Sequence, residues 1–154
     1  MKISTRCRYA TLALFDIAFM NDGNPTQVRQ IAKRQGIPLR FLEQIFQDLK
    51  RAELVDGKRG RNGGYFLSRP PRDITIKDII EATEGPMDKR VESSTTPPTS
   101  TPGTADARNL HDALWREIAV RIYGIYGDYS LEDLVVRAEE AGLSRGAPGY
   151  MYFI

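Results

Sequence analysis

The stretch that most constrains the fold runs from Thr26 to Val55 and contains two helical patterns separated by a glycine and a proline. The apolar stripe of the first helix consists of Val28, Ile31 and Ala32. We expect Thr26 to cap this helix, because its hydroxyl can accept a hydrogen bond from a backbone N–H of the first turn. Gly36 is expected to end the helix, because glycine readily adopts the left-handed conformation common at helix ends.

The second helix of this pair is expected to open at Pro38, whose missing N–H costs no hydrogen bond in a first turn. Its core-facing side chains recur at helical spacing and are Leu42, Ile45, Phe46 and Leu49. Its outer face keeps the polar side chains Arg40, Glu43, Gln44, Gln47, Lys50 and Arg51. Two short helices joined by a tight turn, the second with a polar and partly basic face, predict a helix-turn-helix motif.

A basic, glycine-rich segment, residues 56–69 (DGKRGRNGGYFLSR), follows the two helices directly. We expect it to form a β-hairpin with a thin, positive tip, in which Gly63 and Gly64 supply the positive φ angle that a turn needs. A helix-turn-helix followed by such a hairpin is a winged helix. In that arrangement one helix enters the major groove of DNA and the hairpin tip, or wing, reaches the adjacent minor groove.

The positive charge of the chain is concentrated on the same region. Residues 26–72 contain 11 Lys or Arg and four Asp or Glu, a net charge of +7, whereas the whole chain carries +2. Such a patch attracts phosphates and makes affinity fall with salt, as expected of a DNA-binding surface. Arg6 and Arg8, near the start of the first helix, are candidates for contacts to the DNA backbone.

Other classes of protein find little support in the sequence. We see no nucleophile with a base and no paired carboxylates, and the glycines of residues 60–64 lie on a hairpin rather than between a strand and a helix, so we expect no enzyme. The single cysteine, Cys7, excludes an internal disulfide and is expected to be a small half-buried residue. The single cysteine also points to the reducing cytoplasm. We expect no signal peptide and no membrane span, because residues 1–8 are mostly polar and no apolar run approaches about 20 residues.

The chain divides into four parts and predicts a mainly α fold with a small β-wing. Residues 1–85 form the winged helix-turn-helix domain, which begins with a helix near Ser4–Asn21 and ends with one at Lys77–Thr83. Residues 86–105 form a flexible loop rich in Ser, Thr and Pro, because such a composition cannot build a packed core. Residues 106–138 form a long dimerisation helix and a short following helix, and residues 139–154 form a tail.

The long helix carries a heptad-like apolar seam, with spacings of four and three from His111 to Tyr129. We expect His111 to be packed in this seam rather than to bind a metal. Two partners for the seam remain open, the same helix of a second copy and the first domain. Ser130 to Asp133 resembles a capping box that opens the last helix. The expected dimerisation residues are Leu114, Trp115, Ile118, Ile122 and Ile125.

Six segments in a fixed order carry a resemblance to a known family: MKISTRCRYATLAL, GIPLRFLEQIFQDLKRAELV, RGRNGGYFL, DIIEATEGP, LWREI and YSLEDL. They resemble the bacterial winged-helix regulators that include the iron–sulfur regulator IscR, the nitric-oxide sensor NsrR and the cysteine-metabolism repressor CymR. The resemblance implies a homodimeric transcription regulator bound to an imperfect palindrome of double-stranded DNA, with the wings in the minor groove.

By position, Arg40, Glu43 and Gln44 match the base-reading residues of that family, and Arg59–Gly60 matches the wing tip. The chemistry agrees, because a glutamine can pair with adenine, a glutamate can accept from cytosine, and an arginine suits a narrow, negative minor groove. The full set of expected DNA contacts is Arg8, Tyr9, Thr26, Pro38, Leu39, Arg40, Phe41, Glu43, Gln44, Arg51, Lys58, Arg59, Gly60, Asn62 and Tyr65.

The chain departs from the iron–sulfur members, which carry three cysteines between the EGP segment and the long helix. Residues 85–114 contain none, and Asn109 and Asp112 stand near the positions of the last cysteine and an accompanying ligand. One thiol cannot hold a cluster that needs about four ligands. We therefore expect no cofactor and no metal. The alternative is a redox, iron–sulfur or haem-responsive regulator with a non-standard site that uses Cys7 and His111.

The last six residues, GYMYFI, resemble the tail of the CymR branch, which also lacks the cluster cysteines. The resemblance implies a repressor of cysteine and sulfur metabolism genes that acts with O-acetylserine sulfhydrylase (cysteine synthase), an enzyme that also takes the isoleucine tail of serine acetyltransferase. O-acetylserine would compete for the same pocket and release the complex. The expected partner-binding tail is Tyr152, Phe153 and Ile154. A tail packed on the dimer surface is the alternative.

Overall fold

The computed structural model describes residues 3–20, 23–86 and 105–143. Three helices come first, α1 (Thr5–Met20), α2 (Val28–Gln35) and α3 (Leu39–Arg51), followed by the strands β1 (Val55–Lys58) and β2 (Gly64–Leu67). A short 3-10 turn (Pro71–Asp73) leads to α4 (Ile76–Glu84), α5 (Ala105–Gly127) and α6 (Leu131–Glu140). The predicted mainly α fold with a small β-wing is confirmed. Most of the Ser/Thr/Pro loop and the expected partner-binding tail, including Tyr152, Phe153 and Ile154, lie outside the described residues.

The start of α2 differs from the prediction. The capping position of α2 is Gln27, and no side chain makes a capping hydrogen bond there. Thr26 lies one residue earlier in an extended conformation, where its backbone pairs with Tyr65 of β2. The prediction that the Thr26 hydroxyl caps α2 is therefore wrong, because the pairing with the hairpin takes this residue out of the helix start.

The turn between α2 and α3 follows the prediction closely. Gly36 ends α2 in the left-handed conformation, with φ 64° and ψ 27°. Pro38 precedes α3 at its capping position, and the helix proper begins at Leu39. The core-facing residues of α3 are the four predicted ones, Leu42, Ile45, Phe46 and Leu49, each with an exposed fraction of 0%. This fully buried face fixes which side of α3 points to solvent.

The wing is a two-stranded antiparallel hairpin in which Val55 lies opposite Leu67 and Lys58 lies opposite Gly64. At its tip, Gly60 has a φ of 110°, a conformation that side-chain-bearing residues rarely adopt. Gly63 has a different role from the one predicted. A Cβ atom there would lie 2.3 Å from the Lys58 carbonyl oxygen, so this position is glycine because of a close backbone approach.

The short C-terminal helix α6 folds back on the first domain, a contact that the sequence did not predict. Helix α6 packs against α1 and the 3-10 turn, and buries Leu131, Val135 and Ala138 in the same core as α1 to α4. Backbone hydrogen bonds from Ile76 to Tyr129 (2.9 Å) and from Leu131 to Ile74 (2.8 Å) join the starts of α4 and α6. The capping box predicted at Ser130 is confirmed, with Asp133 as its second member.

Helix α5 is packed on one face only. Tyr123 is buried, and Ala119 and Tyr126 pack against the core from partly buried positions. The five expected dimerisation residues differ in exposure. Ile118 and Ile122 are half-buried, whereas Leu114, Trp115 and Ile125 are 55%, 53% and 54% exposed. No helix in the described ranges has the length and apolarity to cross a membrane.

Candidate nucleic-acid interface

The outer face of α3 presents an uninterrupted polar surface. Arg40, Glu43 and Gln44 are all exposed, and they lie opposite the fully buried face of the same helix. Arg51, at the end of α3, is also exposed and pairs with Asp48 at 3.1 Å. The predicted base-reading residues therefore share one solvent-facing surface, as direct readout of base edges requires.

The beginning of α3 is held against α1 by aromatic packing. The rings of Tyr9 and Phe41 meet edge to face, with centroids 5.7 Å apart. Both residues are half-buried, as is Leu39, whereas Pro38 and Arg8 are exposed. The predicted contacts at this end thus divide into exposed groups that can touch DNA and partly covered ones that shape the surface.

A buried ion pair between α1 and α2 was not predicted from the sequence. The Asp16 carboxylate is fully buried and accepts hydrogen bonds from Arg34 Nε at 3.0 Å, Arg34 Nη2 at 2.5 Å and Gln35 Nε2 at 2.8 Å. The hydrogen bond that the Arg34 guanidinium donates to Asp16 raises the pKa of Arg34, and burial opposes this shift. The only sequence signal was one acidic residue inside the apolar run ALFDIAF.

Arg6 has a different role from the one predicted. Its guanidinium pairs with Asp48 of α3, which is also the partner of Arg51. Asp48 thereby fixes α3 to α1 and offsets part of the positive charge at the end of α3. Arg8, two residues further along α1 and exposed, remains the candidate for a contact with the DNA backbone.

The wing tip is exposed along its whole length. Lys58, Arg59, Gly60, Arg61 and Asn62 all face solvent, and the turn is closed by a hydrogen bond from the Gly63 N–H to the Gly60 carbonyl at 2.9 Å. Three cations on a thin hairpin give a strongly positive projection. Such a projection suits the narrow and negative minor groove of DNA.

Two residues of the predicted contact set are placed at the root of the wing instead of its surface. The Thr26 side chain is fully buried, so it cannot reach DNA in this conformation. Tyr65 is half-buried, and its ring packs on Phe46 of α3 with centroids 4.7 Å apart. The DNA contact of Thr26 stays a prediction, and its side chain is covered by the hairpin in this conformation.

The two residues named for a non-standard cofactor site lie in different surroundings. Cys7 is 2% exposed in the core at the start of α1. His111 is exposed on α5 rather than packed, and its Nε2 accepts a hydrogen bond from Trp115 Nε1 at 2.8 Å while its Nδ1 lies 3.2 Å from Asp112. Within the described ranges, no group of three or more His, Cys, Asp or Glu side chains is arranged to hold a metal ion.

Together, the helix-turn-helix with its exposed polar face and the cationic hairpin define a winged-helix DNA-binding protein. The chain belongs to the Rrf2 family of transcriptional regulators, whose profile, described as an iron-dependent transcriptional regulator, matches residues 3–137. The resemblance drawn from the sequence segments is thereby confirmed.

Similar transcriptional regulators support the assignment to this family. The chain is 35% identical over 139 residues to the regulator IscR of Xenorhabdus nematophila, covering 90% of this chain and 82% of the relative. Identity to an Escherichia coli IscR is 31% over 148 residues, covering 94% and 86%.

Among solved structures, T. potens IscR matches with a TM-score of 0.71 and 33% identity, covering 99% of this chain and 97% of that one. CymR (YrzC), described as the global cysteine regulator of B. subtilis, matches with a TM-score of 0.68 and 31% identity, covering 89% and 98%.

The iron dependence in the family description does not fit the thiol donors of this chain. A conventional iron–sulfur cluster is held by about four cysteine thiolates. The one cysteine of this sequence, Cys7, is buried in the core of α1, and residues 85–114 contain no cysteine. This chain therefore lacks the donors of a conventional cluster.

Proposed function

We propose that this regulator binds an imperfect palindrome as a homodimer, with α3 in the major groove and the wing tip in the adjacent minor groove of each half-site. The observation that carries the proposal is the exposed set Arg40, Glu43 and Gln44 on α3, combined with the exposed cations of the wing tip. Polar side chains on one helix face supply base readout, and the cations supply attraction to phosphates.

The homodimer is supported by the apolar side chains that α5 leaves exposed. Leu110, Leu114, Trp115 and Ile125 have exposed fractions of 53% to 73%, whereas most other large apolar side chains in the described part of the chain are buried or half-buried. A second copy of the same helix would cover such a patch through a two-fold interface. Two recognition helices related by two-fold symmetry then match the two halves of a palindrome.

The DNA contact is tested by the salt dependence of binding to a labelled duplex recovered by selection from genomic DNA. Gln44→Ala should weaken binding to this duplex by about 1–3 kcal/mol and relax the preference at one base pair. Arg59→Ala should weaken binding and reduce the slope of log K against log salt by about one for each wing. Lys77→Ala, an exposed lysine on α4 and outside α3, the wing and α5, is the control and should change neither quantity. Unchanged binding in both Gln44→Ala and Arg59→Ala would refute the proposed DNA-reading surface.

We further infer that the regulated genes belong to cysteine and sulfur metabolism and that the regulator represses them together with O-acetylserine sulfhydrylase. Two observations support this inference, the likeness to the B. subtilis cysteine regulator and the absence of cysteine from residues 85–114. A regulator without its own thiol cluster needs another source of metabolic information, and a partner enzyme that binds O-acetylserine supplies it.

The partner is tested by capture of purified O-acetylserine sulfhydrylase on the immobilised regulator. Capture should be lost when O-acetylserine is added and when Phe153 and Ile154 are deleted. Sedimentation of the truncated chain is the control, because the dimer should persist. Capture that survives the deletion would contradict the proposed role of the tail. A truncated chain that falls apart to monomers would instead favour a tail that stabilises the dimer.

A second candidate function is a regulator that senses iron or redox state through a non-standard centre. The identity to several IscR proteins and the family description favour this candidate. It predicts absorbance bands of a cluster or haem in protein purified without oxygen. Colourless, metal-free protein that binds its operator with full affinity would contradict it.

A further inference from the structure

The root of the wing is clamped to the segment that precedes α2. Thr26 and Tyr65 exchange both backbone hydrogen bonds, from the Thr26 N–H to the Tyr65 carbonyl and from the Tyr65 N–H to the Thr26 carbonyl, each at 2.8 Å. Thr26 thus extends the hairpin by one antiparallel bridge on the side away from β1. This bridge ties the wing to the start of the helix-turn-helix by the same bonds that hold a sheet together.

The side chain of Tyr65 ties the wing to the recognition helix as well. Its ring packs on Phe46, a fully buried residue on the core-facing side of α3, with centroids 4.7 Å apart and an angle of 41° between the rings. Phe46 lies within one turn of Glu43, so a shift of the ring pair displaces α3 relative to the wing. Aromatic pairs at this distance contribute beyond the area that they bury.

Of the two glycines beside Tyr65, only Gly64 is required by this arrangement. A Cβ atom at Gly64 would lie 2.4 Å from both the backbone carbon and the oxygen of Thr26, so the clamp requires glycine next to Tyr65. Gly57 is the cross-strand partner of Tyr65, and the tyrosine ring lies beside it. A Cβ atom at Gly57 would lie 3.6 Å from Tyr65 Cε1. The distance at Gly64 is too short for a Cβ atom, whereas the distance at Gly57 is an ordinary van der Waals contact.

We propose that Tyr65 is a positioning residue that sets the distance and angle between the wing tip and α3, and that it makes no base or phosphate contact of its own. Through the Thr26 clamp and the Phe46 ring, the wing, α2 and α3 form one rigid reading surface, which fixes the spacing between the major-groove and minor-groove contacts. The inference rests on the proposed binding of the wing tip to DNA, and it replaces the direct Tyr65 contact predicted from the sequence.

The test is a double-mutant cycle on the affinity for the selected duplex, with folding checked by circular dichroism. Tyr65→Ala should raise the Kd about tenfold in the wild-type background, and by less than about twofold when Arg59→Ala and Arg61→Ala have already removed the wing contact. Tyr65→Phe keeps the ring on Phe46 and should leave the Kd within about twofold of wild type. Should Tyr65→Ala fail to fold, Tyr65→Leu takes its place, because leucine keeps apolar volume without the aromatic pair.

The backbone clamp is tested separately by a matched pair of glycine variants. Gly64→Ala should weaken DNA binding about as much as Tyr65→Ala, because its Cβ atom forces Thr26 away from the hairpin. Gly57→Ala, on the opposite strand at an ordinary contact distance, should bind like the wild type. Equal binding by the two glycine variants would overturn the clamp.

Two results would overturn the positioning role of Tyr65 and leave the wing contact standing. One is the same loss of affinity for Tyr65→Ala in the wild type and in the Arg59→Ala, Arg61→Ala protein. The other is a loss of affinity in Tyr65→Phe as large as in Tyr65→Ala. The second result would assign a DNA contact to the hydroxyl. Wild-type affinity in the Arg59→Ala, Arg61→Ala protein would refute the wing contact of the proposed function, and the positioning role would fall with it.

Discussion

The Asp16 carboxylate, fully buried in α1, accepts two hydrogen bonds from the Arg34 guanidinium near the end of α2. The pair holds the first helix of the helix-turn-helix against α1. Arg34 keeps 26% of its side chain exposed, so only the acidic partner is cut off from water. Removing the partner of a buried charge costs more than removing an exposed ion pair, because the remaining group is left uncompensated.

Asp16→Ala should therefore destabilise the protein by about 3 kcal/mol, at the lower end of the range for buried pairs because water can reach the orphaned arginine. The measurement is the free energy of unfolding from urea denaturation. Lys50→Ala is the matched control, since it breaks the exposed pair with Asp56 at 3.8 Å and should cost less than about 1 kcal/mol. Equal costs for the two variants would contradict a structural role of the buried pair.

The exposed apolar face of α5 predicts the effect of charges placed on it. Trp115→Glu or Leu114→Glu should convert the dimer to monomers, because a carboxylate in the centre of an apolar interface is left desolvated. Val120 is 62% exposed and lies on the opposite face of the same helix, so Val120→Glu should remain dimeric. Sedimentation equilibrium distinguishes the states. A dimeric Trp115→Glu protein, or a monomeric Val120→Glu protein, would place the interface elsewhere.

The capping box of α6 predicts a dependence of stability on pH. Hydrogen bonds from the Ser130 hydroxyl and backbone lower the pKa of Asp133 below its ordinary value of 3.8. A lowered pKa in the folded state adds stability above the ordinary value, and this contribution is lost as the pH falls through the lowered value.

The difference in urea midpoint between the wild type and Asp133→Ala should accordingly be full at neutral pH and shrink below 3.8. Glu132→Ala, which leaves both capping hydrogen bonds in place, should show a smaller difference at neutral pH. A midpoint difference for Asp133→Ala that stays constant down to about pH 2 would show that ionisation of this carboxylate does not stabilise α6.

The features that the sequence predicted correctly depend on residues that are close together along the chain. The apolar spacing of α3, the glycine that ends α2 (Gly36) and the proline that precedes α3 (Pro38) are local signals. The structure confirms the helices that they delimit. The capping box at Ser130 is equally local, because its two members are three residues apart. The hairpin followed from glycines and cations within 14 residues.

The features that the sequence did not predict correctly depend on contacts between separate elements of the chain. Thr26 was assigned a capping role that suits its side chain, but the residue pairs with Tyr65, 39 positions further along the chain. Asp16 sits in an apolar run whose periodicity gave no reason to expect a charge, and its partner Arg34 lies on another helix. The role of Gly63 depends on how closely the two strands approach, which no composition rule supplies.

The central claim, that α3 reads the operator, is tested most directly by selecting fragments of the organism's genomic DNA with purified protein and sequencing them. The wild type should enrich a small set of imperfect palindromes. Replacement of Arg40, Glu43 and Gln44 by alanine should abolish that enrichment, while the thermal unfolding midpoint stays close to that of the wild type, because all three side chains are exposed. Recovery of the same palindromes by the triple variant would contradict the claim.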